Sequence, residues 1–496
     1  MTANRRFSLR TAWVAVVLAC ASLSDAAAFS RSAWEQAGWL TRFEAGLADA
    51  RGSGRPVFVY FDAAWCSWCQ QYKRDTLDQP AVRAALARGF VRVAVDADAR
   101  PDLMRRYGGK GLPFTVVLAP DGTVRTHFVG VMPAQDLVAL LGALPQPAPP
   151  SSASAVRHQV TALDRRGYEA FRAAWLQHLD QLYDPARAAL AGPFETGATH
   201  KRTPVLAWLY LMDHGLWRER AQAAGRAERT RLWDALDTGF FNFVDPSRDD
   251  YLESSKLLET NAWMAAWQAQ LGVHDAAARQ LAQATRFFLN EVLQDRAQGG
   301  YFQAQVADNA YYALQPAERL RRPAPPLDRV KRADTHAQAA WALLRQGQFG
   351  EEARAVDDAV RTLDFVLATF WHEGRLYHAW RDGAVSAPDQ PHTWFWVLAA
   401  GSAVERVRPD PARRAALDAI ARMAGAWLAG EMRRAPRLDN ELAGLVAWSA
   451  SQPPFAARLP AGARDWALRQ LRIEAETAPD ELVIGLWAWE AALARR

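Results

Sequence analysis

Apolar positions follow two different rhythms along the 496-residue chain. Up to about residue 143, short β-branched and aromatic runs alternate with polar, helix-compatible stretches. Pro56-Val57-Phe58-Val59-Tyr60-Phe61 and Val91-Arg92-Val93-Ala94-Val95 read as buried strands. Two more strands are expected over 113–118 and 124–129, joined through the hairpin signal Asp121-Gly122. Helices are expected over 70–77, 102–107 and 134–141. From about residue 157 the strand signal gives way to helical spacing, as in Leu206-Ala207-Trp208-Leu209 followed by Leu211-Met212. About twelve helical segments fall in pairs with a period of roughly 50 residues.

Six helix pairs suggest an (α/α)6 toroid, with an open solenoid as the other arrangement. Between the two regions runs Leu144-Pro145-Gln146-Pro147-Ala148-Pro149-Pro150, followed by Ser151-Ser152-Ala153-Ser154, a semi-extended linker. The chain therefore divides into an α/β domain over 29–143, a linker over 144–156 and an all-α domain over 157–496. Ahead of them, 1–28 reads as a secretory signal. Arg5, Arg6 and Arg10 precede an apolar stretch over 12–23 that is too short to span a bilayer, and Ala26-Ala27-Ala28 offers a cleavage site. Val17-Leu18-Ala19-Cys20 is close to a lipobox, so lipid anchoring through Cys20 is the second processing route. Either route makes the mature chain periplasmic or secreted.

Candidate chemistry concentrates in Trp65-Cys66-Ser67-Trp68-Cys69, which holds two of the three cysteines. A structural staple across so short a loop gains little chain entropy. Zinc needs about four ligands and no second cysteine pair exists, so no metal is expected. The spacing suits a helix start, with the first thiol exposed and made reactive by the backbone N–H groups and the second one turn in. That chemistry needs no cofactor. The formal net charge is only +5 and no Lys/Arg run stands out, which argues against a nucleic-acid partner.

Strand, tight turn, Cys-x-x-Cys and helix together resemble thioredoxin-like domains over roughly 40–143. The stretch is especially similar to the C-terminal domain of the periplasmic disulfide reductase DsbD and to the N-terminal domain of YyaL-type proteins. The resemblance rests on Trp65, Cys66, Cys69 and Pro113, with the Lys73…Thr76 and Asp78…Val82 surroundings. It implies that Cys66 and Cys69 are catalytic and that Pro113 is a cis-proline facing them, turning the Leu112 backbone toward a substrate peptide. Many thioredoxins carry a buried Asp six residues before the first Cys. Here that position is Tyr60, and Asp62, on the same face of the strand, is the substitute.

In the helical region, polar residues repeatedly open Trp-rich segments. Glu253, Asp334, His336, His392, Asp439, Glu441 and Asp480 are the candidates for a ligand site, expected to converge at one mouth because each opens an inner helix. Read singly, the acids also suit helix capping. Lys256-Leu257-Leu258…Asn261-Ala262, Gly299-Gly300-Tyr301-Phe302 and Pro325-Pro326-Leu327-Asp328…Asp334 resemble the toroid of YyaL-type proteins, related in fold to six-hairpin glycosidases and N-acylglucosamine 2-epimerases. The expected function is an exported thiol–disulfide oxidoreductase with a disulfide-bearing protein substrate and a membrane electron donor, its toroid binding a partner or ligand. The alternatives are a carbohydrate-active epimerase or hydrolase with an accessory redox domain, and a non-catalytic protein binding a carbohydrate or peptide.

Overall fold

Two helices, α1 (Arg31–Gln36) and α2 (Phe43–Ser53), lead into β1 (Val57–Asp62) of the first domain in this computed structural model. The structure describes residues 29–144, 155–192, 199, 201–248, 250–350 and 352–494. The signal segment with Cys20 and most of the linker lie outside the described residues. After β1 come α3 (Ser67–Tyr72), which runs on as a π turn over Lys73–Leu77, then α4 (Pro80–Gly89), β2 (Val91–Asp96), α5 (Pro101–Arg106), β3 (Phe114–Leu118), β4 (Val124–Val129) and α6 (Ala134–Gly142). The sheet order is β2-β1-β3-β4, with β1 parallel to β2 and β3 antiparallel to both of its neighbours. Alternation along β1 explains why its sequence is apolar throughout. Val57, Val59 and Phe61 pack with Phe43, Val93 and Phe114, while Phe58 and Tyr60 pack with Trp34, Trp39 and Leu137.

The second domain opens on β5 (Val156–Gln159), so Val156 belongs to it rather than to the linker. Outer and inner helices then alternate: α7 (Arg165–Leu182), α8 (Val205–Asp213), α9 (Arg218–Leu232), α10 (Leu258–Leu271), α11 (Ala276–Phe288), α12 (Ala333–Gly350), α13 (Ala353–Phe370), α14 (Pro391–Val407), α15 (Pro411–Arg434), α16 (Asn440–Ser451), α17 (Ala463–Leu468) and α18 (Val483–Leu493). The inner helices α8, α10, α12, α14, α16 and α18 each touch the next, and α18 returns to α8. β5 pairs antiparallel with Arg472–Glu474, joining the start of the domain to its end. The ring is closed, which excludes the solenoid. Tryptophans of the inner helices meet at its centre: the Trp341 ring lies 6.1 Å from Trp263, 6.1 Å from Trp396, 5.3 Å from Trp448 and 6.1 Å from Trp487.

Two inner helices are entered through the same buried device. Lys256 Nζ donates to Asp234 at 2.8 Å and to the Thr238 carbonyl at 2.6 Å. Lys331 Nζ donates to Asp295 at 2.7 Å and to the Gly299 carbonyl at 2.7 Å. Five residues after each lysine stands a first-turn side chain that fixes the preceding hairpin. Asn261 accepts the Phe240 N–H at 2.6 Å and donates to the Leu257 carbonyl at 2.9 Å. His336 accepts the Tyr301 N–H on Nε2 at 2.9 Å and donates from Nδ1 to the Arg332 carbonyl at 2.6 Å.

Candidate functional site

Cys66 is the N-cap residue of α3, because strand β1 ends at Asp62 and the chain turns within a few residues. Its Sγ accepts the Cys69 N–H at 3.1 Å, and the two cysteines form a disulfide with Cα atoms 5.3 Å apart. The Leu112–Pro113 bond is cis, and Leu112 packs against the same small cluster as Cys66 and Cys69. Asp62 is half-buried at the end of β1, and burial pushes its carboxyl up to about 6, with Lys73 working in the other direction. Tyr60, at the position six residues before Cys66, donates its hydroxyl to the Cys69 carbonyl at 3.1 Å.

Sequence reasoning expects Cys66 to be exposed, and the structure corrects this. Cys66 is 2% exposed and Cys69 is fully buried. The cover comes from the toroid. Leu257 and Ala304 complete the apolar cluster around the cysteines, and the Ala307 N–H donates to the Trp65 carbonyl at 3.4 Å. Glu253 accepts from the Ser67 hydroxyl and lies 3.5 Å from the Ser67 N–H, while Tyr251 shares the Ser67 hydroxyl at 2.9 Å. The Trp68 ring packs against Tyr251 with centroids 4.3 Å apart and the planes inclined at 47°, and Arg248 lies 4.5 Å from the Trp68 centroid.

A second contact region runs from Trp65 into the ring. The Trp65 indole donates to Asp98 at 2.9 Å, Arg332 donates to Asp98 at 2.7 Å, and the same guanidinium grips Asp334 at 2.7 Å and 3.2 Å. His378 donates from Nε2 to the Asp98 carbonyl at 3.0 Å and accepts from Thr393 at 2.7 Å, and burial lowers it to about 4. Arg381 bonds Asp96 at 2.8 Å, and Arg105 reaches Gln390 at 3.3 Å. Asp98, Arg332, His378 and Arg381 were not among the sequence candidates. Their partners in the other domain are more than 230 residues away in the chain, a separation that no local pattern reports.

The other candidates divide. Asp439 caps α16 through the Leu442 N–H at 2.8 Å and pairs with His392 at 3.0 Å. Glu441 accepts the Trp396 indole N–H at 2.8 Å. Asp480 accepts the Ala207 N–H at 2.8 Å, capping the neighbouring helix, and burial pushes it up to about 7 with Glu481 and Glu441 adding like charge. His392, Asp439, Glu441 and Asp480 thus gather at the inner-helix starts. Glu253 sits apart at the dithiol, and Asp334 is absorbed in the interdomain ion pair. His336 does not face the mouth. It is the counterpart of Asn261, walled in by Phe365 and Phe370 with ring centroids at 5.1 Å and 6.3 Å, and burial lowers it to about 4. Among the described residues no cluster of His, Cys, Asp and Glu suits a metal, and no helix is long and apolar enough to cross a membrane.

Comparison with known proteins agrees with this geometry. A thioredoxin-like family model matches residues 38–120, which include β1 to β3 and the dithiol. The chain carries a thioredoxin-like domain. Within it, the thiol:disulfide interchange protein DsbD 1 of Pseudomonas aeruginosa is 33% identical over 92 residues, 18% of this chain and 16% of that one. Spermatogenesis-associated protein 20 of Homo sapiens is 26% identical over 97 residues, 18% of this chain and 12% of that one. The chain thus spans only 12–16% of the length of these curated relatives. Behind the thioredoxin-like domain, the toroid shares its fold with a D-mannose isomerase crystal structure, at TM-score 0.50 and 9% identity, over 67% of this chain and 99% of that one. At that identity the likeness is one of fold alone.

Proposed function

We propose that the protein is an exported thiol–disulfide oxidoreductase whose toroid covers and presents its dithiol. The observation that carries this reading is the Cys66–Cys69 disulfide at the start of α3 beside Leu112. When the pair is reduced and uncovered, the Cys66 thiolate attacks one sulfur of a substrate disulfide. The substrate's S–S bond breaks, one substrate sulfur leaves as a thiolate, and a mixed disulfide forms. Cys69 then attacks the Cys66 sulfur, the second substrate sulfur leaves, and the Cys66–Cys69 disulfide is restored. Two electrons pass to the substrate, and a thiol donor outside the cytoplasm, such as a membrane thiol transporter, returns them. Export is inferred from the 1–28 segment and from the compartment in which such chemistry is normal.

Because Cys66 is buried, the thioredoxin-like domain must lift from the toroid before a protein disulfide reaches it. The uncovered inner-helix starts, with His392, Asp439, Trp396 and Glu441 at hand, would then be free for a peptide or carbohydrate ligand. The test is thiol release. The reduced, desalted full chain is mixed with a disulfide-linked peptide. About two substrate thiols per chain are expected, and none from Cys66→Ser. Release at an equal rate from Cys66→Ser would refute the assignment.

A further inference from the structure

Among the described residues, Glu253 is the one toroid carboxylate bonded to the dithiol turn itself. It is 1% exposed, and both of its oxygens are engaged. One accepts from the Ser67 hydroxyl, and the other accepts the Ser255 hydroxyl at 3.1 Å and faces the Ser67 N–H at 3.5 Å. Ser67 follows Cys66 directly, so the carboxylate occupies the turn on which a Cys66 thiolate would be stabilised. Two buried negative charges on adjoining groups oppose each other, and neither can be relieved by water.

We propose that Glu253 is a positioning residue supplied by the toroid: with the domains docked its charge keeps the reduced Cys66 protonated and unreactive, and undocking frees the thiolate. This rests on the dithiol reading above and adds control of its proton. The other charged or titratable groups facing the turn are Tyr251 on the Ser67 hydroxyl, Arg248 over Trp68, Arg202 over the Trp65 ring at 6.0 Å, Asp98 on the Trp65 indole and Tyr60 on the Cys69 carbonyl. Both arginines are held over indole rings. Burial raises the Glu253 carboxyl, and the Ser67 and Ser255 donors that bond it work in the other direction, toward the charged form. Reduction by a small dithiol such as dithiothreitol breaks the Cys66–Cys69 bond. Two electrons and two protons enter, and the reagent becomes its own disulfide. In the docked form both protons remain on sulfur.

The test is a pulse of iodoacetamide on the reduced, desalted full chain between pH 5 and 10, with modification at Cys66 read by mass spectrometry. The parent is expected to inflect above the free-cysteine value of about 8.5. Glu253→Gln keeps the shape and one accepting oxygen while removing the charge, and its amide NH2 can donate to a rotated serine hydroxyl. It should lower the inflection by about one unit and speed labelling at pH 7 about tenfold. Glu253→Asp should follow the parent. Arg332→Met, which breaks the Asp98–Arg332–Asp334 contact between the domains, should label like Glu253→Gln and serves if that variant folds poorly. A Glu253→Gln profile superimposed on that of the parent, or Glu253→Asp behaving like Glu253→Gln, would overturn the proposal. Labelling requires no turnover. Failed thiol release with a shifted profile would therefore overturn the oxidoreductase reading and leave the role of Glu253 standing.

Discussion

Arg332→Met is expected to cost about 3–5 kcal/mol and to release the thioredoxin-like domain from the ring. Arg332 is the only cation bonded to both Asp98 on one domain and Asp334 on the other among the described residues, and all three side chains are at least four-fifths buried. Removing it leaves two buried carboxylates facing each other, and unpaired buried charge is the costliest outcome of such a change. Calorimetry should show the single transition splitting or falling, and proteolysis of the 145–154 segment should accelerate. The same interface carries a pH dependence. Asp328 is buried with one oxygen on the Val330 N–H and the other without a partner, and burial, with the Asp98 charge next, pushes it from 3.8 to about 8. The folded value lies above the unfolded one, so the docked state keeps a proton that the unfolded chain has lost. Stability should therefore fall as pH rises from about 4 to about 8, and Asp328→Asn should flatten that slope.

Lys331→Met should cost about 3 kcal/mol in the toroid, read as a lower midpoint in denaturant. The ammonium bonds Asp295 and the Gly299 carbonyl and lies 4.4 Å from the Trp380 ring centroid and 5.2 Å from that of Phe365. Methionine fills the space but leaves Asp295 without a cation, so burial of that carboxylate becomes uncompensated. Lys331→Met/Asp295→Leu should recover part of the loss, because apolar pairs of similar volume replace buried ion pairs at little cost. A double variant no more stable than Lys331→Met would place the cost in packing rather than charge.

How much of this was legible beforehand depends on how local each signal is. The four strands of the thioredoxin-like domain and the turn before Cys66 read from contiguous sequence, whereas α1, α2 and α4 were not among the expected helices. The ring was legible from helical spacing and the repeat of pairs. The site residues were less so. Glu253, Asp334 and His336 all stand near inner-helix starts, and sequence spacing alone does not separate a ligand-facing side chain from one holding a hairpin. For His336 the signal was present: the Lys256…Asn261 spacing repeats in Lys331…His336, and a position that can be Asn or His for one hydrogen-bonding task is structural. The burial of Cys66 could not be read, because it depends on toroid segments around Glu253 and Ala307 that meet it only through the fold.

The most direct measurement is a trap. Cys69→Ala is expressed in the native host, and mixed disulfides are preserved by acid quenching. The expected result is Cys66 linked to exported, cysteine-bearing proteins, released by dithiothreitol and lost when Cys66 is also replaced. A folded Cys69→Ala chain whose Cys66 is readily alkylated yet carries no releasable partner would contradict the assignment.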